Sequence, residues 1–188
     1  AAAARRIAVP LDLPRTTGTE QNTLIPDARN DENLAVGQTH LAFIRFHNRV
    51  VDKLAADGVP AGERFEKARG LVVRHYQWML RTDFLPRITN RPQLKGVFDN
   101  GRVVVEPNPP AGDAPTMPVE FSVAAYRLGH SMIRPAYEWN GVFEDGGGTL
   151  EFLFTFSGTS GGLDADNPLP SNWVADWRGL YVFPSSRP

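Results

Sequence analysis

The chain has 188 residues, of which 41% are hydrophobic, so it can form one domain with a sizeable core. Its formal net charge is -1 and its basic residues are scattered, which argues against nucleic acid or an anionic membrane as a partner. It lacks cysteine, which excludes disulfides and thiolate metal ligands. No apolar run approaches the length of a membrane span, about 20 residues, and the N-terminal segment lacks the apolar core of a signal peptide. We therefore expect a soluble protein whose compartment stays unknown.

The first half of the chain is predicted to be an extended lead-in followed by two long helices. Residues 1–28 contain prolines and a run of threonine and glycine, which favours an extended segment. Two helices follow within residues 30–88. In the first, apolar residues recur at helical spacing over a wide arc, which predicts a mostly buried helix. Asn30 or Asp31 is expected to cap it. The second is expected from Gly62 to Thr82, before a proline stops it.

A third helix is predicted over residues 117–134, between Pro118 in its first turn and Pro135. Before it, residues 89–116 are rich in proline, glycine and asparagine, so we expect an irregular connection with at most one strand, Val103–Val105. One face of the third helix is apolar apart from a histidine. That face is formed by Val119, Val123, Tyr126, His130 and Ile133.

The last part of the chain is predicted to contain a small β element and a short helix. Residues 137–143 and 149–156 flank three consecutive glycines and are expected to pair as a hairpin. After a loop, Ser171 is expected to cap a short helix that holds Trp173 and Trp177. The predicted fold class is mainly α, in a single domain with a small β-hairpin and long irregular loops.

Arg29 and Glu32 are the first candidates for a catalytic site. A guanidinium stays charged and is rigid, so Arg29 could stabilise negative charge that develops when a peroxide O–O bond breaks on ferric heme. Glu32 lies three residues on, about 4.5 Å along a helix axis, so both side chains can face the same plane. Its carboxylate could pair with Arg29 or form an ester with a heme methyl. The alternative is an ordinary surface ion pair.

His130 is the candidate for an axial heme ligand. A neutral imidazole is the usual ligand behind the iron where peroxide is activated, and Gly129 leaves room for a porphyrin. A single histidine on an apolar helix face is, however, more often a hydrogen-bonded core residue than a ligand. Three other histidines, His40, His47 and His75, are interpreted as structural. Among them, His47 is expected in a buried hydrogen-bond cluster.

Four segments resemble, in the same order, the animal-type heme peroxidase superfamily in its bacterial branch. Residues 27–33 look like the segment with the distal arginine and the ester-forming glutamate, and residues 41–49 are similar to the family's Arg-x-His-Asn-Arg helix. Residues 68–86 resemble the next helix, and residues 126–135 resemble the segment with the proximal histidine. The resemblance covers about residues 12–183 and implies a heme-peroxidase-like helical core.

The resemblance implies roles for individual residues. Arg29 would be the distal arginine, Glu32 the ester link to heme, and His130 the proximal iron ligand. Arg127 would also lie at the cofactor, in the place where the cyclooxygenases of this superfamily keep a radical tyrosine, which favours a peroxidase over a fatty-acid oxygenase. Asn33 stands where the mammalian enzymes have methionine, so no sulfonium link is expected.

Two features of the family are missing from this sequence. Relatives carry a distal histidine beside an aspartate that esterifies heme and helps to hold calcium, whereas no histidine precedes Arg29 here. The asparagine that orients the proximal histidine would fall beyond Pro188, and its loss would weaken the electron supply to the iron. We therefore expect a central fragment of a longer peroxidase, one piece of a processed enzyme, or a reduced relative. Calcium is expected only in a full-length form.

Three functions remain open at this point. The first is a heme peroxidase that reduces hydrogen peroxide and oxidises small electron donors or halides, with the missing remainder of the peroxidase as a candidate partner. The second is a catalytically weak or inactive remnant of the fold with a structural or partner-binding role. The third is a fatty-acid dioxygenase of the same superfamily. The sequence specifies neither the electron donor nor the oligomeric state.

Overall fold

The computed structural model describes residues 11–17, 21–103, 105–106, 110–114, 116–164 and 166–181. The chain forms two compact units, Ala1–Arg69 with Arg134–Pro188 and Gly70–Ile133. The described residues are mainly helical, with one small two-stranded sheet. The predicted fold class, a mainly α protein with a helical core and a small β element, is confirmed. Among the described residues, no helix is long and apolar enough to cross a membrane.

The first long helix begins later than predicted. A 3-10 helix covers Ala28–Asp31, and α1 covers Leu34–Ala56. Between them Asn33 adopts extended backbone, with φ at -156° and ψ at 161°. Its side-chain oxygen accepts a hydrogen bond from the amide of Val36 at 3.0 Å. Asn33 therefore caps α1, because it satisfies an amide that has no partner within the helix.

The buried face of α1 is narrower than its apolar pattern predicted. Its buried residues lie in the first two turns, and those that follow are partly buried or exposed. They are Leu34, Gly37, Gln38 and Leu41. Their spacing of three and four residues forms a single stripe along the helix. The expectation of a mostly buried helix is therefore wrong.

The two strands are shorter than predicted, and the second is followed by a helix. β1, Ala136–Tyr137, pairs antiparallel with β2, Gly148–Thr149. The Oγ1 of Thr149 accepts a hydrogen bond at 3.2 Å from an amide in the first turn of the following helix, Leu150–Thr155. The prediction of a strand over residues 149–156 is therefore wrong beyond its first residue, because Thr149 acts as a helix cap.

An aromatic core packs the C-terminal part of the first unit against the start of α1. Trp139 is 1% exposed, and its Nε1 donates a hydrogen bond to the carbonyl of Trp173 at 2.7 Å. Both rings belong to a cluster that also contains Leu34 of α1. The short helix predicted to hold two tryptophans is instead a 3-10 helix, Ser171–Trp173, followed by a separate helix, Trp177–Leu180.

The second unit consists mostly of short helical pieces. It begins within α2, whose full range is Ala61–Met79. The elements that follow are a π-helical turn Leu80–Phe84, α3 Leu85–Ile88, α4 Arg91–Asn100, α5 Val119–Val123 and a 3-10 helix Ala125–Met132. Because Pro86 has no amide hydrogen, the regular pattern is interrupted, and the amide of Leu85 bonds to the carbonyl of Leu80.

The predicted irregular connection contains a helix. Residues 91–100 form α4 because the side chain of Asn90 accepts a hydrogen bond from the amide of Gln93 at 3.2 Å and so caps the helix. The expectation of irregular structure is wrong for these residues. The predicted strand Val103–Val105 includes Val104, which lies outside the described residues. That prediction is therefore not tested.

Candidate functional site

The candidate distal segment is the 3-10 helix Ala28–Asp31 with the residues on either side of it. Asp27 caps this helix by accepting a hydrogen bond from the amide of Arg29 at 3.0 Å. The same carboxylate accepts from Nε and Nη2 of Arg29 at 3.0 and 2.6 Å, and the guanidinium is 80% exposed. Hydrogen bonds from the side chain and backbone of Arg29 lower the pKa of Asp27 to about 2. Arg29 therefore faces solvent as half of an ion pair.

Glu32 ends the same 3-10 helix and is also exposed. The structure thus places Arg29 and Glu32 on one exposed turn of the first unit. That their side chains face the same plane stays a prediction. Arg29 forms a bidentate pair with Asp27, which sequence analysis did not foresee. An aspartate two residues before an arginine could have signalled this pair, since one carboxylate can then cap the turn and hold the guanidinium.

A buried ion pair between Arg15 and Asp31 lies beneath the distal segment, and sequence analysis missed it. The side chains are 7% and 5% exposed, and Nη1 of Arg15 lies 2.8 Å from Oδ2 of Asp31. Asp31 was interpreted as a candidate cap at a helix start, and Arg15 falls in the predicted lead-in. The two residues are 16 positions apart. No periodic pattern links such a pair, so the sequence carries no signal for it.

The candidate proximal ligand, His130, lies in the 3-10 helix Ala125–Met132 of the second unit. It is exposed, and its Nδ1 lies 3.0 Å from the carbonyl oxygen of Arg127. A carbonyl oxygen only accepts hydrogen bonds, so Nδ1 is the donor, and in a neutral imidazole Nε2 then carries the lone pair. A Cβ added at Gly129 would meet no other described atom within 4 Å. The side chain of His130 is therefore exposed, and Gly129 beside it adds no side chain that would crowd a ligand.

The helix that carries His130 differs from the prediction. The single helix expected over residues 117–134 breaks at Ala124, where φ is -128° and ψ is -71°. The face predicted to be apolar is largely exposed, with Val119 at 71% and Tyr126 at 68%. A histidine satisfied inside a core would be buried, whereas His130 is exposed. The alternative of a core histidine is therefore wrong.

The other histidines have local roles. Nδ1 of His40 lies 3.2 Å from the side-chain amide of Asn30, and burial lowers the pKa of His40. His47 packs edge-on against Phe65, with ring centroids 5.5 Å apart. Its buried Nε2 has no hydrogen-bond partner among the described residues, so the predicted hydrogen-bond cluster around His47 is wrong at that nitrogen. Within the described ranges, no group of three or more His, Cys, Asp or Glu residues is arranged to hold a metal ion.

Comparison with known proteins settles the family. The animal haem peroxidase family matches residues 7–151. The chain belongs to this family. Among curated proteins, a "Peroxidase-like protein" of Margaritifera margaritifera is 31% identical over 123 residues, which are 60% of this chain and 14% of that protein. "Peroxidase mlt-7" of Caenorhabditis elegans is 32% identical over 115 residues, 60% of this chain and 15% of that protein.

A third relative, "Peroxidasin homolog pxn-1" of Caenorhabditis elegans, is 30% identical over 60% of this chain and 9% of its own length. The chain therefore spans less than one sixth of each of these three relatives. All three come from animals, so the bacterial origin that the resemblance implied stays a prediction. No solved structure matches the chain. Membership of this family indicates a peroxidase type of function and heme as its cofactor.

Proposed function

We propose that this chain binds ferric heme through Nε2 of His130 and reduces hydrogen peroxide with the help of Arg29, while small electron donors or halides are oxidised. The observation that carries the proposal is the position of His130 in residues 126–135, which resemble the proximal segment of the family and lie within the residues that the family matches. The residue is exposed, and its Nδ1 lies 3.0 Å from the carbonyl of Arg127, so in the neutral ring Nε2 carries the lone pair. This is the arrangement in which histidines bind metals in proteins.

Arg127 is proposed to act twice at the proximal side. Its carbonyl supplies the hydrogen-bond acceptor that would fix the tautomer and the orientation of the His130 ring. The resemblance implies that in relatives an asparagine side chain orients the proximal histidine instead. The exposed guanidinium of Arg127 is a suitable partner for a carboxylate of the porphyrin, since arginine binds carboxylates through two parallel hydrogen bonds.

On the distal side, Arg29 is proposed to stabilise the leaving oxygen of peroxide. Its charge is permanent, and its backbone lies in a 3-10 helix whose cap, Asp27, also holds the guanidinium. The bound heme would supply the electrons that reduce the O–O bond. Glu32 on the same exposed turn is the proposed ester link. A heme that stays attached to the chain after denaturation in acidic acetone would support this link, and Glu32→Gln should release it.

Titration with hemin tests the ligand assignment. We expect a Soret band with the unmodified chain and no such band with His130→Ala. His75 offers a matched control, because it is also exposed and its Nδ1 lies 2.8 Å from the carbonyl of Leu71. His75→Ala should therefore bind hemin like the unmodified chain. If His130→Ala keeps the band, or if His75→Ala loses it, the assignment of His130 is wrong.

The role of Arg29 needs a separate experiment. Arg29→Ala should leave hemin binding unchanged and slow the reaction with hydrogen peroxide by about 100-fold, the usual cost of removing one charge-stabilising donor. Arg178 is a matched control, because Asp176 caps its helix and holds its guanidinium with the same geometry, Nη2 to Oδ2 at 2.6 Å. Arg178→Ala should react at the unmodified rate. Equal rates for all three chains would contradict a catalytic role for Arg29.

A catalytically weak or structural remnant is the second candidate function. The ion pair between Arg29 and Asp27 favours it, since a guanidinium already neutralised by a carboxylate gives less stabilisation to a new negative charge. This candidate predicts a stable, monodisperse chain that takes up no hemin. The proposed partner in either case is the remaining part of a longer peroxidase, because the chain spans 14% of the Margaritifera relative. Oxygen uptake with a fatty acid, without peroxide, would instead indicate a dioxygenase.

A further inference from the structure

One loop holds the carbonyl groups of the distal segment. The Oγ1 of Thr159 donates to the carbonyl of Ala28 at 3.1 Å, and its amide donates to the carbonyl of Asp31 at 3.3 Å. The Oγ of Ser160 donates to the carbonyl of Glu32 at 2.9 Å. Thr159 and Ser160 therefore form hydrogen bonds with both ends of the 3-10 helix that carries Arg29.

The carboxylate of Asp31 is the centre of this arrangement. Its Oδ2 accepts hydrogen bonds from Nη1 of Arg15 at 2.8 Å and from the amide of Gly158 at 2.9 Å. Its Oδ1 accepts from Nη2 of Arg15 at 2.9 Å. A buried charge is tolerated only when it is paired and hydrogen-bonded, and Asp31 meets both conditions.

The guanidinium of Arg15 is saturated. Besides its two bonds to Asp31, it donates to Asp12 from Nε at 2.7 Å and from Nη2 at 3.2 Å, and to the carbonyl of Gln21 from Nη1 at 3.3 Å. All five of its N–H groups therefore have acceptors. Burial opposes its charge, but the hydrogen bonds to Asp31 and Asp12 hold the pKa of Arg15 above its ordinary value. A guanidinium bound in this way has one fixed orientation.

The close approach of the loop requires glycine at position 158. A Cβ there would overlap Oδ2 of Asp31 and would lie 2.7 Å from Nη1 of Arg15. A side chain at Gly158 would therefore push the loop away from the distal segment.

We propose that Asp31 is a positioning residue for Arg29. The buried pair with Arg15 and the loop at 157–160 fix the backbone from which the guanidinium of Arg29 projects, so that its position is set before peroxide arrives. This inference rests on the proposed function, since the Arg15–Asp31 pair and the loop at 157–160 matter for catalysis only if Arg29 acts on peroxide. A displacement of about 1 Å at a catalytic group can cost about 100-fold in rate, so such support has a measurable effect.

The test is a double-mutant cycle on the full, heme-loaded chain. We expect Asp31→Asn to leave hemin affinity unchanged and to slow the reaction with hydrogen peroxide by about tenfold. In an Arg29→Ala background, the same change should alter the rate by less than about twofold, because Asp31 acts through Arg29. Asp99→Asn is the control, since Asp99 forms an exposed ion pair with Lys95. It should react at the unmodified rate.

A second readout does not depend on heme. The ¹⁵N order parameter of the Arg29 amide in the cofactor-free chain should be about 0.85 and should fall towards about 0.6 in Asp31→Asn. If that variant does not fold, Asp12→Asn replaces it, because Asp12 orients Arg15 from a partly exposed position without leaving a buried charge unpaired. The positioning role would be overturned if Asp31→Asn slowed the peroxide reaction equally in the unmodified and the Arg29→Ala backgrounds. An order parameter of the Arg29 amide that did not change in Asp31→Asn would also overturn it. Failure of the unmodified chain to bind hemin would overturn the proposed function and the positioning role with it. In that case, a fall in the order parameter of the Arg29 amide in Asp31→Asn would still show that Asp31 holds the backbone of the distal segment.

Discussion

The two segments that carry the candidate site are stabilised in different ways, although both are 3-10 helices. The distal segment, Ala28–Asp31, is bonded to residues 16 to 131 positions away, and its aspartate is buried. In the proximal segment, Ala125–Met132, the described hydrogen bonds of His130 and Ser131 reach carbonyls three residues earlier. The distal segment therefore has a shape set by its own unit. The proximal segment has a shape set locally, and we expect it to respond more strongly to what binds it.

Removal of the Asp31 carboxylate should have the largest effect on stability. Asp31→Ala leaves the buried guanidinium of Arg15 without its main partner, and breaking a buried pair in this way costs about 3–5 kcal/mol. Asp99→Ala, which removes an exposed ion pair with Lys95, should cost less than about 1 kcal/mol. Urea unfolding followed by far-UV circular dichroism measures both. Similar unfolding midpoints for the two variants would show that the buried Arg15–Asp31 pair does not stabilise the distal segment.

A methyl group at position 158 should have the next largest effect. Gly158→Ala is expected to cost about 1–3 kcal/mol, because the added Cβ overlaps Asp31 and approaches Arg15. Gly96 in α4 is the matched control, since a Cβ there meets no other described atom within 4 Å. Gly96→Ala should raise stability by about 1 kcal/mol through helix propensity alone. A neutral or stabilising effect of Gly158→Ala would mean that the loop can move without cost.

Truncation of His130, the candidate proximal ligand, should hardly affect the stability of the cofactor-free chain. His130 is exposed and bonded only to the carbonyl of Arg127 among its described hydrogen bonds, so His130→Ala should change the free energy of unfolding by less than about 0.5 kcal/mol. Amide hydrogen exchange should agree, with fast exchange in residues 125–132 and slower exchange at Gly158. A loss of about 2 kcal/mol or more would indicate that His130 is a structural residue.

The smallest effect concerns pH at the distal cap. The pKa of Asp27 is about 2 in the folded chain, below its ordinary 3.8, because Arg29 bonds to the charged form. A depressed pKa means that the pair contributes stability above pH 3.8, and that this contribution is lost as pH falls to about 2. An NMR titration of the Asp27 carboxyl should show the low value, and Arg29→Ala should return it towards 3.8. An unchanged pKa in that variant would show that Arg29 is not its partner in solution.

Local rules predicted the parts of the fold that depend on local chemistry. The spacing of apolar residues predicted the helix that became α1, and the distal and proximal candidates were identified from short motifs. Thr149 shows why the second strand of the predicted hairpin ends early, since its hydroxyl caps a helix in residues where a strand was expected. Asn90 had the same effect on the predicted irregular connection. In both cases one side-chain cap decided the structure of the following residues.

Long-range pairs were outside the reach of such rules. Nothing in the pattern around Arg15 indicates that its guanidinium is buried against Asp31, and nothing around Gly158 indicates that its amide completes the same cluster. The contact between Nδ1 of His130 and the carbonyl of Arg127 was equally hidden, because its partner is a backbone group rather than a side chain. The sequence thus supplied candidates for the two sides of a heme, and the structure added the groups that bond to each candidate within its own unit.

Chemical rescue tests the central claim most directly. His130→Gly should abolish the Soret band on hemin addition, and millimolar imidazole should restore it, because free imidazole can replace the ligand that His130 is proposed to supply. The unmodified chain should bind hemin without imidazole, and His75→Gly should behave in the same way. A His130→Gly chain that binds hemin with an unchanged spectrum in the absence of imidazole would contradict the account.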